Sequence, residues 1–155
     1  MHPHQQSEPY WVHAILDWRW TLPAARIALT SAYVLGGLTK LFDFPAAVAE
    51  MTHFGLCPAW LWAPLSILVE LGCSALVISG YFVWLGAGGL GVLTAVAMLV
   101  ANNFWAAPPG AQLNVANGFF EHFGLIAGLV LVAVIADQGP EKARHRTRPF
   151  AYHAR

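Results

Sequence analysis

Residues 84–105 read WLGAGGLGVLTAVAMLVANNFW, a stretch with no charged side chain and with tryptophan at both ends. A helix of about 20 apolar residues crosses the roughly 30 Å hydrocarbon layer of a bilayer. Tryptophan is enriched where such a helix meets the lipid headgroups. We therefore predict that this stretch is a transmembrane helix.

Three further apolar runs lie before and after this one. They cover residues 22–42, 58–79 and 118–136. Each has about the length that a span needs, and the Pro108-Pro109-Gly110 turn signal separates the third run from the fourth. The sequence thus predicts an all-α protein, an integral membrane bundle of four transmembrane helices.

The overall composition indicates the same class of protein. Hydrophobic residues make up 57% of the 155 residues and charged residues only 10%, whereas about 25% of a soluble domain is charged. The formal net charge is zero, so no basic surface exists to attract nucleic acid. The expected surroundings are a lipid bilayer.

Lysine and arginine indicate the orientation of the helices. Arg19 and Arg26 lie at the start of the first run, five of the eight basic residues follow the fourth run, and only Lys40 falls at the opposite end. The positive-inside rule then places both termini in the cytoplasm. The two longer connections, near residues 43–57 and 106–117, would face outward.

The segments outside the four runs have a different character. Residues 1–21 combine aromatic and aliphatic side chains with few charges, which is typical of a short helix lying along the membrane interface. A loop anchored by tryptophan explains them equally well. Residues 138–155 are predicted to be a basic cytoplasmic tail that can rest on anionic lipid.

Two ionisable residues lie well inside the predicted spans. Ionisable groups are costly at membrane depth and usually have a partner or a role. Arg26 lies about one turn into the first run, and Glu70 lies near the middle of the second. Since these runs are antiparallel, we predict that Arg26 and Glu70 form a buried ion pair, directly or through water.

A second set of polar residues gathers at the outer end once this topology is applied. A polar plug that joins three helices by hydrogen bonds would explain the set. A site for a small molecule or a proton, facing outward, is the functional alternative. Its candidate ligand-binding residues are Lys40, Asn102, Asn103, Asn117, Glu121 and His122.

Several other patterns carry no specific chemistry. Residues 86–91 match G-x-G-x-x-G, but the match opens a transmembrane run rather than following a strand, so we expect close helix packing instead of nucleotide binding. Gly124 and Gly128 favour the same kind of packing, within the bundle or between two copies. Cys57 and Cys73 are too far apart on a helix to pair. The seven scattered histidines predict no metal site, and no self-contained catalytic motif is present.

Five short motifs together resemble one family. They are an arginine at position 26, GGLTKL at 36–41, FGLCP at 54–58, ELG at 70–72 and NGFFEH at 117–122. In order and spacing they resemble the DoxX family of small bacterial four-helix membrane proteins. The DoxX-like domain would cover residues 22–137, and the resemblance implies a multi-pass protein of the bacterial inner membrane.

The resemblance also implies a functional context. Some DoxX relatives are subunits of thiosulfate:quinone oxidoreductases, and others are linked to membrane redox or thiol-stress complexes. It singles out Arg26, Lys40, Glu70, Glu121 and His122 as important positions, without a catalytic role for any of them. No intrinsic cofactor is implied, but a quinone would suit the outer cluster, since its carbonyls accept hydrogen bonds from lysine or histidine.

The sequence and the resemblance are therefore compatible with three functions. The first is an accessory subunit of a membrane redox system, which meets quinone and a partner redox protein and would count as an enzyme only as part of a quinone-linked oxidoreductase. The second is a carrier or channel for a small solute or proton that uses Glu70, Glu121 and His122. The third is a purely structural membrane partner, with its glycine-rich faces as the contact surface.

Overall fold

The computed structural model describes residues 9–138, and all regular secondary structure in that range is helical. The short N-terminal helix α1 covers Tyr10–Leu16, and a π-helical turn, Val69–Cys73, joins α4 to α5. A single 3-10 turn, Phe104–Ala106, follows α6. The remaining helices are α2 (Thr21–Phe42), α3 (Phe44–His53), α4 (Ala59–Leu68), α5 (Ser74–Ser79), α6 (Val83–Ala101) and α7 (Gln112–Asp137).

The four long helical segments pack as neighbours in chain order. The α4–α5 rod, Ala59–Ser79, lies between α2 and α6, while α7 packs mainly on α6 and also reaches α2. Consecutive segments run in opposite directions, as the contacts of Gly36 with Glu70 and of Gly80 with Arg26 show for α2 and the rod. One end of the bundle carries α1 and the other carries α3, and we call these the α1 end and the α3 end.

Apolar side chains from three of these segments form the core near the α1 end. Val77, Leu90 and Leu129 come from α5, α6 and α7, and each is at most 1% exposed. A smaller cluster of Ala47, Met51 and Ala63 holds α3 on α4. Most other large apolar side chains point outward, which is the pattern expected of a protein surrounded by lipid rather than water.

Three helices of the described chain are long and apolar enough to cross a membrane. They are Ala59–Ser79, the segment Val83–Ala106 and Gln112–Asp137. These confirm three of the four predicted spans as candidates. The first run does form a 22-residue helix, α2, but its polar residues lower its apolar content, and its crossing of the bilayer stays a prediction.

The boundaries differ from the predicted ones mainly in α7. This helix begins at Gln112, six residues before the predicted start at 118. Hydropathy marks only the part of a helix that lies in hydrocarbon, and residues 112–117 include Gln112, Asn114 and Asn117. Of the two interpretations of residues 1–21, the helix is observed over Tyr10–Leu16, with no buried residue. Residues 1–8 and most of the predicted tail, 139–155, lie outside the described chain.

Close packing at glycine brings α6 against the α4–α5 rod, as the glycine-rich pattern predicted. A Cβ atom at Gly86 would lie 2.7 Å from the carbonyl oxygen of Cys73, and one at Gly89 would lie 2.6 Å from the Cys73 sulfur. Gly128 packs on Leu29 of α2, whereas Gly124 has no neighbour within 4 Å. Both cysteines are free thiols.

Candidate functional site

One face of α2 is polar and points into the bundle. Arg26, Thr30, Tyr33, Gly37 and Lys40 recur at intervals of three and four residues, the spacing that places side chains on one side of a helix. All five are buried or half-buried, whereas most other residues of α2 are exposed. The least apolar of the four long segments therefore turns its polar side toward its neighbours.

Lys40 and Glu70 form a buried ion pair across this interface. The Nζ atom of Lys40 donates to Oε1 of Glu70 at 2.8 Å, and the two side chains are only 15% and 9% exposed. Lys40 lies in the last turn of α2, where the helix dipole favours a cation. Glu70 lies in the π-helical turn, a type of irregularity that often marks functional sites.

A second carboxylate approaches Lys40 from the α3 end. Oε2 of Glu50 lies 3.7 Å from Nζ of Lys40, and the Glu50 side chain is 43% exposed. Asp43 caps the start of α3 by accepting a hydrogen bond from the Ala46 amide, and the apolar contacts with α4 fix the helix in place. Glu50 is therefore held between solvent and the buried pair.

The free oxygen of Glu70 lies against a glycine. A Cβ atom at Gly36 would lie 3.2 Å from Oε2 of Glu70, so the absence of a side chain there lets the carboxylate approach the α2 backbone. Oε2 is buried and has no hydrogen-bond partner among the described residues. The site thus presents a buried ammonium next to an unsatisfied carboxylate oxygen.

The predicted pair of Arg26 with Glu70 is wrong, because the two residues lie at different levels of the bundle. Glu70 lies opposite Gly36, while the Arg26 guanidinium lies against Gly80, where a Cβ atom would be 2.6 Å from Nη1. Gly80 is ten residues beyond Glu70, which is about 15 Å along a helix. Lys40 is the cation that the antiparallel register brings to Glu70.

The predicted outer cluster is divided between two places. Lys40 joins Glu70 and Glu50, whereas Asn102 lies against Gly118, where a Cβ atom would be 2.7 Å from Oδ1 of Asn102. Nδ1 of His122 donates to the Gly118 carbonyl oxygen at 2.6 Å. Asn117 and Glu121 are exposed, and Asn103 is half-buried. Within residues 9–138, no hydrogen bond or ion pair joins Lys40 or Glu70 to Glu121 or His122.

Four aromatic rings pack together beside Asn102 and Gly118. Phe104, Trp105, Phe119 and Phe120 have ring centroids 5.2 to 6.4 Å apart, mostly edge to face. Such contacts stabilise the junction of α6 and α7. This cluster was not predicted from the sequence, although the pairs FW at 104–105 and FF at 119–120 were a visible signal.

Glu50 was not predicted as part of the site, since nothing in the spacing of the sequence shows that α3 folds back over Lys40. Tyr33 was missed as well, and its hydroxyl lies 2.5 Å from Oγ1 of Thr94 on α6. The three-and-four spacing of polar residues along α2 could have identified Tyr33.

A family model describes this part of the chain. The model of the DoxX family matches residues 21–103, which is more than half of the 155 residues. The chain belongs to the DoxX family. No curated protein and no solved structure gives a significant match.

The DoxX match covers the first polar region and part of the second. It includes Arg26, Lys40, Glu50 and Glu70 and also Asn102 and Asn103, but it ends before α7, so Asn117, Glu121 and His122 lie beyond it. Among the described residues of this DoxX protein, no group of three or more His, Cys, Asp or Glu side chains could hold a metal ion. The family and its apolar helices together identify a multi-pass membrane protein.

Proposed function

We propose that this DoxX protein is an accessory subunit of a membrane redox system, and that Lys40 and Glu70 bind the head group of a quinone. The observation that carries this proposal is the buried Lys40–Glu70 pair with one carboxylate oxygen unsatisfied. A charged pair is costly to bury, and a pair with a free acceptor is still more so. A ligand that uses both groups would offset that cost.

The chemistry of the two side chains fits a quinone and its reduced form. Lys40 is a donor for a quinone carbonyl, and Oε2 of Glu70 is an acceptor for the hydroxyl of a hydroquinone. A bound quinone would supply two-electron, two-proton redox chemistry, and the electrons would pass to a partner redox protein. Glu50, in contact with Lys40 and exposed, would exchange protons with water.

A topology of four spans underlies the same proposal. The length of α2 and the neutralisation of Lys40 by Glu70 support its crossing of the bilayer as the fourth span. Both termini would then lie in the cytoplasm and the α3 end would face outward from a bacterial inner membrane. A reporter that fluoresces only in the cytoplasm should be fluorescent when it is fused to either terminus. Fluorescence from only one of the two fusions would indicate an odd number of spans. In that case α2 would not cross the bilayer.

Quinone binding by the purified protein tests the functional proposal. We expect solvent extraction of the protein in mild detergent to yield quinone, and a short-chain quinone to quench the fluorescence of its seven tryptophans. Glu70→Gln and Lys40→Met should each weaken binding by about tenfold or more, because each removes a hydrogen bond to a charged group.

Thr39→Ala is the matched control for these variants. Thr39 precedes Lys40, is exposed, and bonds only the Leu35 carbonyl of its own helix, so its loss should leave quinone affinity unchanged. Glu70→Gln keeps the shape of the side chain and guards against misfolding of the lysine variant. The proposal fails when the wild-type protein binds no quinone, or when the Glu70 and Lys40 variants bind it as tightly as wild type.

A further inference from the structure

Three buried polar atoms have no hydrogen-bond partner within residues 9–138. They are Oε2 of Glu70, Oγ of Ser74 and Nε of Arg26. As whole residues, Glu70 and Ser74 are 7% and 0% exposed. All three belong to α2 or to the rod that packs against it, so we call the interface between α2 and the α4–α5 rod the seam.

The three atoms lie at successive levels of the seam. Glu70 is opposite Gly36, near the α3 end, and Arg26 is opposite Gly80, at the α1 end. Ser74 follows Glu70 by four residues along the buried side of the rod, which brings it to the level of Tyr33. About 15 Å of helix separates the first level from the last.

Hydroxyl groups fill the intervals between these levels. The Tyr33 hydroxyl lies 2.5 Å from Oγ1 of Thr94 on α6. Thr30, which is fully buried, donates to the Arg26 carbonyl oxygen at 2.8 Å. Between Glu70 and Arg26, α2 therefore contributes the hydroxyl groups of Tyr33 and Thr30 to this side of the helix.

Buried polar atoms that lack protein partners are normally satisfied by internal water, which makes two to four hydrogen bonds. An unsatisfied hydroxyl or carboxylate oxygen in hydrocarbon costs several kcal/mol. One such atom would be explained by a local defect of packing. Three on one seam are better explained by internal water, which the hydroxyls nearby can both donate to and accept from.

We propose that the seam is a hydrated proton path that connects Glu70 with the α1 end of the bundle. A proton that reaches Glu50 from the α3 end passes to Glu70, and from there moves through water and the hydroxyls of Ser74, Tyr33 and Thr30. Each hydroxyl or water accepts one proton and releases another, so no group changes its net charge. The path opens to water beside Arg26 and Gly80.

Arg26 orders the end of this path without carrying the proton. Its guanidinium stays protonated at any physiological pH, so Nε donates to water and does not accept. The positive charge lies against Gly80 at the carboxyl end of α5, where the helix dipole offsets it. The proton therefore meets a weaker barrier than an isolated arginine would impose.

Proton flux into liposomes tests the proposal directly. The full-length protein is reconstituted into quinone-free synthetic lipid with a pH-sensitive dye inside, and a potassium gradient with valinomycin drives protons inward. We expect the flux to exceed that of protein-free liposomes. The inference does not rest on quinone binding, since no quinone is present.

Three variants each remove one hydroxyl with little change in shape. Ser74→Ala, Tyr33→Phe and Thr30→Val should each lower the protein-dependent flux by about tenfold, the effect of losing one hydrogen-bonded step on a rate. Ser31→Ala is the matched control, because Ser31 is on the exposed side of α2 and donates to the Ala28 carbonyl. Its flux should equal that of the wild type.

The outcomes separate this inference from the quinone proposal. Flux no greater than that of protein-free liposomes would overturn the path, as would wild-type flux in all three hydroxyl variants when their helical circular dichroism is unchanged. The same three variants retain Lys40 and Glu70 and should still bind quinone. Loss of quinone binding in Glu70→Gln would support the quinone proposal, and a lowered proton flux in Ser74→Ala would support the path.

Discussion

Replacement of Lys40 by methionine is expected to lower the free energy of unfolding by about 3–5 kcal/mol. Lys40 is the only cation in contact with Glu70 among the described residues, and both side chains are largely buried. Methionine keeps the length of the aliphatic stem but leaves the Glu70 carboxylate buried without its counter-charge. Reversible unfolding in mixed detergent micelles, followed by helical circular dichroism, measures the change.

Two further variants show whether the effect comes from the unpaired charge. Lys40→Met combined with Glu70→Gln should recover most of the lost stability, since replacing both charges of a buried pair is often nearly neutral. Thr39→Ala should change stability little. A loss below about 1 kcal/mol for Lys40→Met, which is the usual worth of an exposed ion pair, would show that the pair is not buried in the membrane-embedded protein.

The second large effect is expected at Gly86. Gly86→Ala places a Cβ atom 2.7 Å from the Cys73 carbonyl oxygen and 3.0 Å from Cβ of Leu76. These are backbone and near-backbone atoms, so α6 and the rod must move apart. Overpacking of this kind costs about 1–3 kcal/mol, and the same unfolding assay should show the protein destabilised by that amount.

Gly88 provides a control on the same helix. It has no neighbour within 4 Å, so Gly88→Ala adds a methyl group to open space. Alanine favours a helix over glycine by up to about 1 kcal/mol, and the variant should be as stable as wild type or more so. Equal stability of the Gly86 and Gly88 variants would contradict the close packing of α6 on the rod.

The helical framework was largely predictable from sequence, because the apolar length of a span is a local property. Residues 58–79 were predicted and Ala59–Ser79 is observed, since Pro58 and Gly80 mark its ends. The polar start of α7 was missed for the opposite reason. Residues 112–117 are helical but lie beyond the apolar run that hydropathy detects.

The contacts between side chains of the site were less predictable, because they depend on the register of neighbouring helices, that is, on their axial offset. Arg26 and Lys40 were both available to Glu70, and only the register of α2 against the rod decides between them. Asn102 and His122 instead meet at Gly118, where α6 and α7 join. Glu50 enters through the fold of a connecting helix, α3, whose direction depends on the contacts of Ala47 and Met51 with α4.

The polar face of α2 affects how the chain is inserted into the membrane during synthesis. A lone Arg or Lys raises the cost of inserting a membrane helix, by about 2.5–3.5 kcal/mol at the centre and less toward the ends. The helix α2 carries one cation near each end and lacks the apolar content of the other long helices. Glu70 and the carboxyl end of α5, which face those cations, are synthesised later. We therefore expect α2 to wait at the translocon and to enter the bilayer together with the next segment, as a helical hairpin.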